Sequence, residues 1–114
     1  MGYDIHITRK ASWSDKDGPT LTLEEWLDYI SRDEEMRADG FAEAATPNGE
    51  TIRIDNPGIV VWISYSGHGV DGNMAWFCHF EDRITVKNPD SETMRKIHKI
   101  ASSLRARVQG DEGE

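Results

Sequence analysis

At 114 residues the chain is long enough for one domain, spanning 1–114, with a single core, and 37% hydrophobic with 30% charged residues exclude a disordered or membrane-embedded chain. Thirteen basic against 21 acidic residues leave a net charge of −8, which argues against nucleic acid and favours a basic protein partner. The one cysteine, Cys78, excludes a disulfide framework and a cysteine-rich zinc site, and its apolar surroundings suit a small buried hydrophobe.

No apolar run approaches the roughly 20 residues of a membrane span. The start MGYDIHITRK lacks the features of a secretory signal, so a cytoplasmic protein is expected. Charge is unevenly spread. Eight acids face Arg32 and Arg37 between Glu24 and Glu43, whereas five bases face Glu92 alone between Ser91 and Arg107.

Along the chain, YDIHITR alternates apolar Ile5 and Ile7 with polar neighbours and predicts a half-buried strand. TLEEWLDYI predicts a helix: Thr22 caps it, Glu25 three residues on completes a capping box, and Leu23, Trp26, Leu27 and Ile30 form one stripe. SRDEEMRADG reads as a short helical turn, and FAEAATPNGETIRIDN as a hairpin turning at Pro47, Asn48 and Gly49. IVVWISYS is a buried strand whose antiparallel partner is MAWFCHF, and RITVK follows a tight turn. NPDSETMRKIHKIASSLRARV predicts a second helix with Asn88 as cap and Pro89 in first position, and VQGDEGE reads as a frayed end. This order predicts an α+β fold: an antiparallel β-sheet with two α-helices packed on one face.

Candidate chemistry is sparse. His6, His68, His79 and His98 are isolated in sequence, without the paired spacing of metal ligands, so neither a metal nor a cofactor is expected. Ser66 and His68 lack the glycine frame of a nucleophile elbow, and no catalytic residue is assigned. GHGVDG matches a dinucleotide fingerprint letter for letter but leads into a strand rather than the helix that phosphate binding needs.

The acids Glu24, Glu25, Asp28, Glu34 and Glu35 read as a solvated face or, more sharply, as a docking surface with Trp13 or Tyr29 as aromatic anchor. A register that turns Trp62, Ser64, Trp76 and His6 to an open concave face makes Trp62 and Trp76 further partner-binding candidates. The connection YSGHGVDGNMAWF is longer than a hairpin needs. His68, Asp71 and Asn73 are therefore its candidate contact residues.

MGYDIHITR, YSGHGVDGNMAWF, VKNPD and ARVQGDEGE together resemble a family of small, acidic, uncharacterised bacterial proteins across nearly the whole chain. The resemblance implies no site residues. In size and charge the chain is also similar to immunity proteins that neutralise basic bacterial toxins. The expected function is a non-enzymatic protein-binding module, in its finest form an immunity protein that docks a basic toxin on an acidic surface. The alternative is a small-ligand-binding or hydrolytic protein that uses the 66–73 loop.

Overall fold

The computed structural model describes residues 3–70 and 74–111. In chain order the elements are β1 (Asp4–Thr8), α1 (Leu23–Ser31), β2 (Met36–Arg37), β3 (Phe41–Ala45), β4 (Thr51–Asp55), β5 (Ile59–Trp62), β6 (Trp76–Phe80), β7 (Arg83–Lys87), α2 (Ser91–Ser103) and β8 (Arg107–Gly110). Six strands form an antiparallel sheet in the order β2-β5-β6-β7-β1-β8, and β3 and β4 pair separately as a two-stranded arm. The fold is α+β, with both helices on one face of the main sheet. Among the described residues no helix is long and apolar enough to cross a membrane.

Local chemistry sets the helix starts. The Thr22 hydroxyl accepts from the Glu25 N–H at 3.1 Å, and the Glu25 carboxylate reaches back to the Thr22 N–H at 3.3 Å. That capping box satisfies two of the donors a helix leaves free at its start. At α2 the cap is Asp90 rather than Asn88, because Asp90 Oδ1 accepts from the Thr93 N–H at 2.8 Å. Asn88 instead turns the chain out of β7 with φ of 45°, a left-handed angle that asparagine tolerates well.

The strand in IVVWISYS stops at Trp62 and the second helix at Ser103, and two further segments differ more from their sequence reading. SRDEEMRADG ends in β2, where Met36 pairs with Trp62 at the sheet edge. VQGDEGE does not begin as a frayed end: Arg107–Gly110 is β8, paired antiparallel with β1, so β1 is a central strand. Gln109 explains the order, since its side-chain carbonyl accepts from the Trp13 N–H at 2.7 Å and its amide donates to Ala11 O at 2.9 Å. These tertiary bonds hold the residues 11–13 loop against the strand.

Strand alternation sends Ile7, Val60, Phe77, Ile84 and Val86 to the helix side of the sheet, where they meet Trp26, Ile30, Ile97 and Ile100. Each large side chain so buried stabilises the fold by about 1.5–3 kcal/mol. One backbone corner positions the arm against this sheet. The Gly58 carbonyl accepts from the Trp26 indole N–H at 3.0 Å and from the His79 N–H at 2.9 Å. A side chain there would collide, since a Cβ on Gly58 would sit 2.5 Å from His79 O and 2.7 Å from His79 Cβ. Gly58→Ala is therefore expected to cost about 1–3 kcal/mol, the range for forcing extra atoms into a packed site. Urea unfolding checks this, and a midpoint equal to that of the native chain would show the corner to be loosely packed.

Candidate functional site

The arm is two-faced. On the outer face of β3–β4, Arg53 pairs with Glu43 at 3.0 Å and with Asp55 at 2.9 Å, and its guanidinium lies 4.2 Å from the centre of the Phe41 ring. The TIRID alternation turns Ile52 and Ile54 to the other face, where they remain 56% and 60% exposed. Ile54 and Ala42 form the roof of a groove of about 580 Å³. Its floor is the open face of the main sheet, contributed by Ile59, Trp76, Cys78 and Phe80, with Thr85 and Lys87 of β7 beyond them. Phe80 is 57% exposed. Two apolar walls thus face one another without closing.

Burial pushes the Cys78 thiol up, with Lys87 acting the other way, so Cys78 contributes an apolar surface rather than a nucleophile. At one end, the Tyr65 hydroxyl donates to Asp90 at 2.5 Å. That bond and the Thr93 N–H hold the Asp90 carboxyl below the usual carboxylate range. Ser66 donates to Glu92 through its backbone N–H (3.0 Å) and its hydroxyl (2.5 Å). The start of the long connection is therefore tied to the first turn of α2. Ser66 does not engage His68, which is half-buried with no partner on Nδ1 among the described residues. Asp71 and Asn73 lie outside the described residues.

The two tryptophans do not share a face. β5 and β6 pair Val61 with Trp76, so Trp76 belongs to the open face and Trp62 to the helix side. Trp62 is buried in the core, and its indole N–H donates to Glu35 at 3.0 Å. The sequence register was off by one residue on β5, which reverses every side chain of that strand.

The acidic face is largely matched from within. Glu25 pairs with Arg9 at 2.5 Å, Asp28 with Arg32 at 2.7 Å, and Glu35 with Lys96 at 3.1 Å. Bonds from Trp62 and Lys96 hold the Glu35 carboxyl below its usual range. Only Glu24 and Glu34 of the five are exposed without an ion pair among the described residues. Neither proposed aromatic anchor is free. Tyr29 donates to Asp33 at 2.5 Å, and Trp13 stacks on His6 with ring centres 3.9 Å apart.

His6 and His79 lie on opposite faces of the sheet and do not meet. His79 is buried and bonds Leu21 O through Nε2 at 2.6 Å. His6 joins Asp111 to the groove floor: Nε2 donates to Asp111 Oδ1 at 2.8 Å, and in the neutral ring Nδ1 accepts from the Thr85 hydroxyl at 3.1 Å. The His6 bond holds the Asp111 carboxyl low. The direction suits a general base behind a nucleophile. However, Thr85 stands mid-strand between β6 and β1, where neighbouring N–H groups are engaged in two ladders. Among the described residues the backbone N–H groups beside Thr85 belong to these ladders, which leaves no oxyanion donor in place there. The relay ties Asp111, just past β8, to the sheet.

Of the concave face expected around Trp62, Ser64, Trp76 and His6, Trp76 does line the groove, but sequence reasoning missed the arm that roofs it. The available signal was Ile52 and Ile54 alternating with charged residues on an arm too small to bury them. Comparison with protein-family models, with curated proteins and with solved structures finds no match, so the site is read from its own geometry.

Proposed function

We propose that the chain is a non-enzymatic binding protein that receives an apolar segment of a protein partner in the groove between the β3–β4 arm and the main sheet. One observation carries the reading: Ile54 of the arm and Phe80 of the sheet line the same groove and remain 60% and 57% exposed. A monomer gains by closing such surfaces on each other, and contiguous exposed apolar area marks interaction sites. The net charge of −8 favours a basic partner, attracted at long range with Glu24 and Glu34 as the unmatched acids. An immunity protein that neutralises a basic toxin is the finest form of this reading.

The volume, about 580 Å³, is also that of a pocket for a small molecule, and this supports small-ligand binding as the second reading. Affinity capture in the native host distinguishes them when run beside an Ile54→Glu, Phe80→Glu double variant. Both side chains are exposed, so the variant is expected to fold. A basic protein retained by the native chain, released by salt and lost from the variant supports the first reading. A protein captured equally by both chains would place the contact elsewhere.

A further inference from the structure

β4, which carries Ile54 of the groove roof, is an edge strand of the two-stranded arm. In an antiparallel pair, residues whose N–H and C=O bond inward alternate with residues whose groups point outward. Thr46 N–H bonds to Glu50 O at 2.7 Å and Asn56 N–H to Gly40 O at 3.0 Å, and the register pairs Ile52 with Ala44 and Ile54 with Ala42 between them. Glu50, Ile52, Ile54 and Asn56 therefore bond inward. Thr51, Arg53 and Asp55 direct their backbone N–H and C=O groups away from β3, where no described strand pairs with them.

Natural sheets guard such edges with proline, lysine, bulges or a covering element. TIRID has no proline and no lysine, and all five residues are exposed. Its charged residues do not guard the edge either. Arg53 and Asp55 pair with each other, and Arg53 also reaches Glu43, so both lie flat on the outer face of the arm.

We propose that β4 is a docking edge that takes an extended segment of a protein partner as a third strand of the arm, with alternate side chains entering the groove. This rests on the groove reading and specifies the form of its occupant. An added strand satisfies three outward N–H and C=O pairs at once, and its period of two places every second residue on the apolar side with Ile52 and Ile54. The remaining residues lie beside the outer face, where Glu43 and Asp55 outnumber Arg53. Alternating apolar and basic residues fit both faces. A second copy of this chain fits poorly, because antiparallel pairing of all five β4 residues places Arg53 opposite Arg53, and each copy carries −8.

Residue-resolved amide hydrogen exchange by NMR tests this with a synthetic peptide of four alternating valine–lysine pairs. At saturation, exchange at Thr51, Arg53 and Asp55 is expected to slow at least tenfold, with less change at the already bonded Ile52 and Ile54. A peptide of the same composition with its valines and lysines in two blocks is expected to give no slowing. Equal protection by the block peptide would overturn the alternation, and protection that rises with protein concentration alone would assign the edge to a second copy. Shifts of the Trp76 indole signal that Ile54→Glu abolishes, with the three amides unaffected, would keep the groove and reject the strand. If neither the amides nor Trp76 respond at millimolar peptide, both readings fall.

Discussion

Trp26→Ala is expected to destabilise the chain by about 3–5 kcal/mol, the range for removing a large aromatic side chain from a core. Trp26 is fully buried, and it has two tasks. Its ring fills the space between α1 and the sheet, stacking 6.1 Å from Tyr29, and its indole N–H bonds to Gly58 O at 3.0 Å. Trp26→Phe separates the two. It keeps much of the ring volume and removes the donor, while Gly58 O still accepts from the His79 N–H. Its cost is expected near 1 kcal/mol from the lost bond, plus a contribution from the smaller ring. Urea unfolding of both variants checks the ratio. Equal losses would mean that the bond to Gly58, at the root of the arm, outweighs the packing.

Lys96→Ala is expected to cost about 3 kcal/mol, near the lower end for breaking a buried ion pair, because its partners retain some water contact. Lys96 itself is 3% exposed, while the side chains of Asp33 and Glu35 are 12% and 44% exposed. Its ammonium bonds to Asp33 at 2.9 Å and to Glu35 at 3.1 Å, and it lies 6.0 Å from the centre of the Trp62 ring. Removing it strands two carboxylates beside the core. Lys96→Met, which keeps the packing volume, leaves the same charges unmatched, so it should recover only the packing part of the loss.

The pH dependence follows from the carboxylates. Burial pushes the Asp33 carboxyl up, but bonds from Tyr29, Lys96 and the Glu35 N–H outweigh it and leave the group below its usual range. Glu35 is also lowered. A depressed folded-state pKa contributes stability above the unfolded value, roughly 4, and loses it as pH falls through the folded value. The native chain should therefore weaken steeply below about pH 4, and Lys96→Met should weaken less steeply there. Parallel acid limbs for the two chains would show that Lys96 is not what lowers these groups.

What could be read from sequence was what is local. Thr22 and Glu25 form their capping box within one turn, and the 41–56 hairpin follows from its own turn residues and alternation. Asp90 rather than Asn88 caps α2 because Asn88 is needed as a left-handed corner, a demand set by where β7 ends. β8 depends on Gln109 reaching Ala11 and Trp13, almost a hundred residues away, and RVQG has little strand signal without that contact. The Trp62–Trp76 error has a similar cause. A long connection leaves the register of two strands free, and burial of the Val60 and Phe77 face then decides it. The groove was least legible. It is a relation between Ile54 and Phe80, whose strands are not paired. The acidic face was visible as composition, and Arg32 four residues after Asp28 was a local signal, but Arg9 and Lys96 reach Glu25 and Glu35 from elsewhere in the fold.

The most direct test of the groove as binding site is isothermal titration of a captured partner against the native chain, Ile54→Glu, Phe80→Glu and a Glu24→Lys, Glu34→Lys double variant. Each groove substitution is expected to weaken binding by about 2 kcal/mol or more, roughly thirtyfold, as for a central contact of an interface. The charge variant should change affinity less and lose part of the salt dependence. Native affinity in both groove variants, with the loss confined to Glu24 and Glu34, would contradict the groove and return the interface to the acidic face.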